Sequence, residues 1–291
     1  MNRCLTFLLA LMVAALTVSS ACVAAPSDWI HFTLEPQRGD GARIHATFRD
    51  QDRNRDRHDW SAEFLPSELV GLDTAGFRAS GSRPVRFALI REAGRLDCTG
   101  HGGESYAAGD CGFTADARFT QLLIDRGIGR PTQDQAFGLM AVNARRDVID
   151  AIAAAHYPTP TIDDLTALAA LQVDGRYIRD LAQAGYRPAG IHSLIEFKAL
   201  GITPDWIGGF ARAGYGNLPP DELVQFRALG ISPEFITGFE RIGYRNLPAE
   251  TLTQFKALGI TPEFVRSAEP SGQRQLSVDE LVQRRLFGRL R

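Results

Sequence analysis

The sequence predicts an α+β protein: a small antiparallel β domain followed by an α-helical repeat array of 29-residue helix-turn-helix units. Three observations carry that prediction. Short runs between Trp29 and Thr114 alternate apolar and polar residues and are separated by Gly-rich turns, the period of half-buried strands. From about Arg118 onward apolar residues recur at helical spacing, and Tyr157, Tyr186, Tyr215 and Tyr244 stand 29 residues apart, as do Leu165, Leu194, Leu223, Leu252 and Leu281. A fixed period of that size marks stacked supersecondary units. The first 25 residues follow neither pattern, so the chain divides into 1–25, 26–117 and 118–291.

Met1 to Ala25 holds one Arg, no acidic residue, an apolar run from Leu5 to Val18 and the small residues Val23-Ala24-Ala25. This is the pattern of a secretory signal peptide. The apolar run is short against the ~20 residues needed to span a bilayer. The expectation is an exported protein, periplasmic in a Gram-negative-type envelope and without a membrane span after cleavage. Cys22, after Ser19-Ser20-Ala21, supplies the alternative of a lipid anchor. Cleavage after Ala25 removes Cys4 and Cys22 and leaves Cys98 and Cys111. A single pair in an exported chain is most simply a disulfide.

The charge pattern excludes one class of function. Formal net charge is −2, or −3 once Arg3 leaves with the leader, and no basic domain suggests nucleic acid as a partner.

The expected strands are Trp29–Leu34, Arg43–Phe48, Trp60–Phe64, Val85–Ile90, Arg95–Cys98 and a short last one at Cys111–Phe113. Gly39-Asp40-Gly41 and Glu92-Ala93-Gly94 are the turn signals. Pro66 to Gly71 predicts a single helical turn, and Asp116 caps a short helix ending at Gly127. In the repeats, Leu223, Phe226 and Leu229 line one face of a first helix, and Phe235, Ile236, Phe239 and Ile242 one face of a second. Gly230 suits the left-handed end of the first helix, Ser232 offers an N-cap oxygen, and Pro233 fits the first turn. One such pair cannot bury its apolar face alone, so units must stack. A degenerate leading unit is expected from near Gly127. In the last unit Arg284 stands where the others carry Phe197, Phe226 and Phe255, and Arg289 where they carry Ile202, Ile231 and Ile260. That predicts a C-terminal cap with a polar outer face, preceded by a loop near Ser267–Gln275.

Three stretches imitate sites. Gly103-Glu104-Ser105-Tyr106-Ala107, with His101-Gly102 before it, has the outline of a hydrolase nucleophile elbow, which needs a strand feeding a helix. Its surroundings predict a hairpin loop below the disulfide instead. Asp50 to Asp56 spaces oxygen ligands like a calcium loop, but Arg55 stands where the turn needs Gly and Ser61 where the bidentate Glu belongs. His31 and His45 could face each other across a hairpin, with no third ligand. No metal or cofactor is expected. The remaining candidate is a basic ladder: Lys198, Arg227, Lys256 and Arg285 occupy one position in successive units. Each also lies in a helix's last turn, where the helix dipole alone favours a cation.

Trp60-Ser61, Leu69-x-Gly71-Leu72, Val85-Arg86-Phe87, Arg91-Glu-Ala-Gly94, Cys98-x-Gly100 and Gly112-Phe113, followed by Gly-Tyr and Leu-Gly-Ile repeats, form a recognisable order. It resembles the extracytoplasmic region attached to some bacterial zinc metallopeptidase antirepressors of the beta-lactamase-regulator type, and stand-alone exported proteins with the same repeats. The resemblance implies the architecture only. No zinc-ligand helix matches, so peptidase chemistry is not implied and no functional residue transfers. The expectation is a non-enzymatic envelope protein whose repeats bind another protein or serve as a scaffold. The alternatives are an envelope serine hydrolase using Ser105 and a periplasmic module that senses a ligand through its β domain.

Overall fold

The structure, a computed structural model, describes residues 30–36, 43–50, 59–269 and 274–288. The leader with Cys4 and Cys22, Trp29, the turn at Gly39–Gly41, the calcium-like run from Gln51 to Asp56, His58, Pro270, Gln273 and Arg289 lie outside the described residues.

Seven strands form one curled antiparallel sheet: β1 (Ile30–Pro36), β2 (Ile44–Asp50), β3 (Trp60–Phe64), β4 (Leu69–Val70), β5 (Arg83–Arg91), β6 (Gly94–Gly103) and β7 (Tyr106–Ala115). Their order is β3-β2-β1-β7-β6-β5-β4. Alternation assigns the faces: Phe32, Leu34, Ala46 and Phe48 are buried while His31, Thr33, His45 and Thr47 stand on the other side. The curl is visible in Arg91 at the end of β5, whose guanidinium lies 5.2 Å from the Trp60 ring and 5.6 Å from the Phe64 ring of the opposite edge strand. Within the curl Phe32 meets Phe87 edge to face at 5.0 Å.

Three expectations need correction here. The expected strands Arg95–Cys98 and Cys111–Phe113 are too short: β6 and β7 run on through the glycine-rich stretch for ten residues each, and the expected hairpin loop narrows to a turn at Glu104 and Ser105. Backbones approach so closely that a Cβ on Gly100 would lie 2.1 Å from the Ala108 carbonyl oxygen, and this crowding accounts for the glycine. Pro66 to Gly71 is only a 3-10 turn at Pro66–Glu68, after which Leu69 buries itself and pairs with Leu89 as β4. A short helix, α1 (Thr74–Arg78), follows, capped by Asp73, which accepts from Ala75 N at 3.1 Å and Gly76 N at 3.0 Å. Finally, His31 stands opposite Arg49 and His45 opposite Glu35 and Glu63. The two histidines do not face each other.

Asp116 accepts from Phe119 N at 2.7 Å and starts α2 (Ala117–Asp125), with Gly127 at φ 72° beyond its end. Then come α3 (Gln133–Ala141), α4 (Arg146–Ala154), α5 (Ile162–Ala170), α6 (Gly175–Gln183), α7 (Ile191–Ala199), α8 (Pro204–Arg212), α9 (Pro220–Leu229), α10 (Pro233–Glu240), α11 (Ala249–Leu258), α12 (Pro262–Ala268) and α13 (Val278–Phe287). Local chemistry sets their ends. Gly230 closes α9 at φ 69°, and Ser232 accepts from Phe235 N at 3.4 Å to open α10. Alternate helices pack together: α3 on α5, α5 on α7, α4 on α6, α6 on α8, α8 on α10, α10 on α12, α9 on α11 and α11 on α13.

Sheet and helices share one buried apolar cluster. Helix α3 packs on β6 and β7, with Phe137 against Phe113 at 5.5 Å. Arg91 donates to Met140 O at 2.8 Å and Ala141 O at 2.5 Å, capping the C-terminus of α3. Burial pulls its pKa below the ordinary arginine value, against the opposing effect of Glu68. At the far end α13 is less polar than expected: Leu286 and Phe287 are 55% and 74% exposed.

Candidate functional site

Cys98 and Cys111 are register partners on β6 and β7, with Cα atoms 4.0 Å apart and sulfurs at the disulfide distance of 2.02 Å. Both side chains sit on the buried face of the sheet. Strand alternation places them there. Such a pair is compatible with an oxidising, exported location. No helix among the described residues is long and apolar enough to cross a membrane.

Ser105 lies in a two-residue hairpin turn between β6 and β7, where Glu104 has φ 53° and Ser105 φ 64°. The turn docks on α1: Glu104 N donates to Ala79 O at 2.7 Å and Ser105 N to Phe77 O at 2.9 Å. A strand therefore follows Ser105 where a nucleophile elbow has a helix. The nearby His101 is paired along the ladder with Ala108. Elsewhere on the sheet His31 Nδ1 meets Asp110 Oδ1 at 3.3 Å, and His45 Nδ1 meets Glu63 Oε1 at 2.8 Å. Among the described residues no three His, Cys, Asp or Glu side chains converge as a metal site would require.

The four ladder cations all sit on helices that pack against their neighbours, and each lies over an aromatic ring. Lys198 Nζ is 4.7 Å from the centroid of Tyr177, and Arg227 Cζ is 5.4 Å from Trp206. Lys256 Nζ is 5.0 Å from Phe235, and Arg285 Cζ is 5.4 Å from Phe264. The ring face carries negative potential and attracts the cation. The two arginines make a second contact: Arg227 Nε donates to Leu200 O at 2.7 Å and Arg285 Nε to Leu258 O at 2.6 Å. Those carbonyls end α7 and α11, so each guanidinium satisfies an acceptor that its own helix leaves open. Each of these two arginines thus serves the helix two before its own as well as its own dipole. Arg227 and Arg285 remain exposed, while Lys198 and Lys256 are half-buried.

Sequence reasoning found the cations and missed their partners. The signal was present: Tyr177, Trp206, Phe235 and Phe264 are all aromatic and stand 29 residues apart. A second set was also overlooked. Tyr177 OH donates to Ile202 O at 2.7 Å, Tyr186 OH to Gly216 O at 3.1 Å, Tyr215 OH to Leu247 O at 2.7 Å and Tyr244 OH to Leu276 O at 2.6 Å. Burial pushes all four phenols above the ordinary tyrosine value, with Glu269 adding to the rise at Tyr244. They stay protonated and act as donors. Arg284, where an apolar residue was expected to be replaced by a polar cap, donates to Ala268 O.

No protein-family profile matches this chain, and no curated protein matches it in sequence.

Proposed function

We propose that this is a non-enzymatic exported protein in which an array of 29-residue helix pairs presents a continuous surface to another protein of the cell envelope. The observation that carries the reading is the recurrence of one contact, a cation over the ring 21 positions before it, at Lys198, Arg227, Lys256 and Arg285. Helix starts support the same period. First helices begin at Gln133, Ile162, Ile191, Pro220, Ala249 and Val278, and second helices at Arg146, Gly175, Pro204, Pro233 and Pro262, each a step of 29. Contacts repeated in this way tie neighbouring units into one body, and quasi-one-dimensional bodies commonly recognise partners along an extended face.

On this reading the basic ladder has two roles. It clamps unit to unit through the rings, and the exposed guanidinium edges of Arg227 and Arg285 are left to an acidic partner surface. Glu196, Gln225, Gln254 and Gln283 are exposed on the same helices and are again 29 apart. The test is site-specific photocrosslinking of the full protein in its native envelope, with the photoreactive residue at Gln225 or Gln254 in turn. One protein should be captured from both positions and not from a control position on the sheet such as Thr33. Arg227→Gln with Arg285→Gln should weaken that capture while circular dichroism stays unchanged. If neither helix position captures a protein that the sheet position does not, the reading fails.

A further inference from the structure

The groove between β3 and the helical turns carries an inference separate from the helix surface. Strand β3 is a terminal strand of the sheet: it pairs with β2 on one side and makes no other backbone hydrogen bond to a described element along Trp60 to Phe64. Four successive residues of this edge, Trp60 to Glu63, line a groove of about 800 Å³. Its opposite wall is formed by the α3–α4 and α5–α6 turns. An open strand edge is a row of N–H and C=O groups whose geometric complement is another extended backbone.

The charges lining the groove narrow the choice of ligand. Arg43 on the sheet wall and Arg145 on the helix wall are accompanied by Arg91, against Glu63 and Asp174. Glu63 meets His45 at 2.8 Å and Asp174 accepts from Tyr177 N at 2.7 Å, while Arg91 is committed to Met140 O and Ala141 O and Arg145 lies 3.3 Å from Asp147 in an exposed ion pair. Three guanidiniums thus face two carboxylates in the lining, and Arg43 and the weakly held Arg145 are the cations left to an incoming group. A ligand that supplies backbone N–H and C=O groups to the β3 edge and a carboxylate to the arginines matches both features of the groove.

We propose that this groove binds an extended peptide segment, added to the sheet alongside β3, with a carboxylate held between Arg43 and Arg145. The carboxylate can come from an Asp or Glu side chain or from a peptide C-terminus. The proposal does not depend on what binds the helices, since peptide capture at β3 can succeed or fail whatever happens there.

The test uses the full chain and two random hexapeptide libraries, one with amidated and one with free C-termini, selected on the immobilised protein. Enrichment of internal Asp or Glu in the first library identifies a side-chain carboxylate. Enrichment confined to the second identifies a C-terminus. A selected peptide should slow amide hydrogen exchange along β3, and N-methylation at alternate backbone nitrogens should abolish binding in one register and spare it in the other. Arg43→Gln and Arg145→Gln should each weaken binding about tenfold, with the melting temperature of each variant measured alongside. Failure of both libraries to enrich, exchange at β3 unaffected by the selected peptide, or wild-type affinity in both Arg variants would overturn the proposal.

Discussion

The sheet and the helices bury apolar surface over very different sequence distances, and the contrast explains much of the molecule. In the sheet Ile30 pairs with Cys111 and Arg91 lies over Trp60, so its contacts close long loops. In the helices the recurring contacts join residues that are near in sequence: Arg227 to Leu200, Tyr215 to Leu247, Lys256 to Phe235. Long-range pairings must all form together, whereas short-range ones can form segment by segment. Damage to the sheet should therefore spread, and damage to the helices should stay local. The same contrast separates the two proposals: the helix surface draws on segments near in sequence, while the groove beside β3 exists only when distant segments meet.

The sharpest way to break the contrast is Phe226→Ala, which empties a fully buried position between helices at an expected cost of about 3 to 5 kcal/mol. Hydrogen exchange should show α9 and its neighbours opening while β6 and β7 keep their protection. Equal loss of protection in the sheet would mean that the two regions unfold as one.

Next in size is Cys98→Ala with Cys111→Ala. Closing this loop restrains the unfolded chain by roughly 3 kcal/mol in the chain-entropy account. Denaturant titration should place most of that loss in the sheet, followed by Trp60 fluorescence in a variant in which Trp29 and Trp206 are replaced by Phe.

Tyr215→Phe removes one donor to the next segment and should cost about 1 kcal/mol, since Leu247 O loses its partner. The phenols also predict an alkaline limit. Their raised pKa values favour the protonated form in the folded state, so this stability is fully present below the unfolded value of about 10. It is lost as pH rises from there through the folded values. Helical circular dichroism should fall above that pH before the sheet signals do, and less steeply in Tyr215→Phe.

The smallest effect is the coupling of Arg227 to Trp206. A double-mutant cycle with alanine at each should give about 0.5 to 1 kcal/mol at such an exposed site. At the C-terminus, Glu280 tests the acid side. Arg274, and then Ser277 N, hold its carboxyl down to about 2. The stability it confers on α13 is present above the ordinary carboxylate range and lost as pH falls toward 2. Glu280→Gln should remove that acid dependence from the exchange of α13 amides.

Much of this architecture was legible residue by residue. The alternation of Phe32, Leu34, Ala46 and Phe48 announced a one-faced sheet. Gly230, Ser232 and Pro233 announced where one helix stops and the next starts, because left-handed φ, a short side-chain oxygen and a missing N–H act within one turn. The strand lengths of β6 and β7 were not legible, since Gly100 to Gly103 reads as a loop until a neighbouring backbone is seen to demand glycine there. The basic ladder was visible as a column of charge, but its meaning depended on Tyr177, Trp206, Phe235 and Phe264 in other helices.

By itself the sequence determined the α+β class, the pairing of Cys98 with Cys111 and the local stops and starts of α9 to α12, because each rests on spacing or on chemistry within a few bonds. Only the tertiary structure decided that Arg91 closes the sheet onto Trp60 and caps α3, that Ser105 sits in a hairpin turn docked on α1, and that Arg43, Glu63 and Arg145 share a groove. Those residues have no common period and lie far apart along the chain. Their meeting is set by the curl of the sheet and the packing of helices against it, which no local pattern encodes.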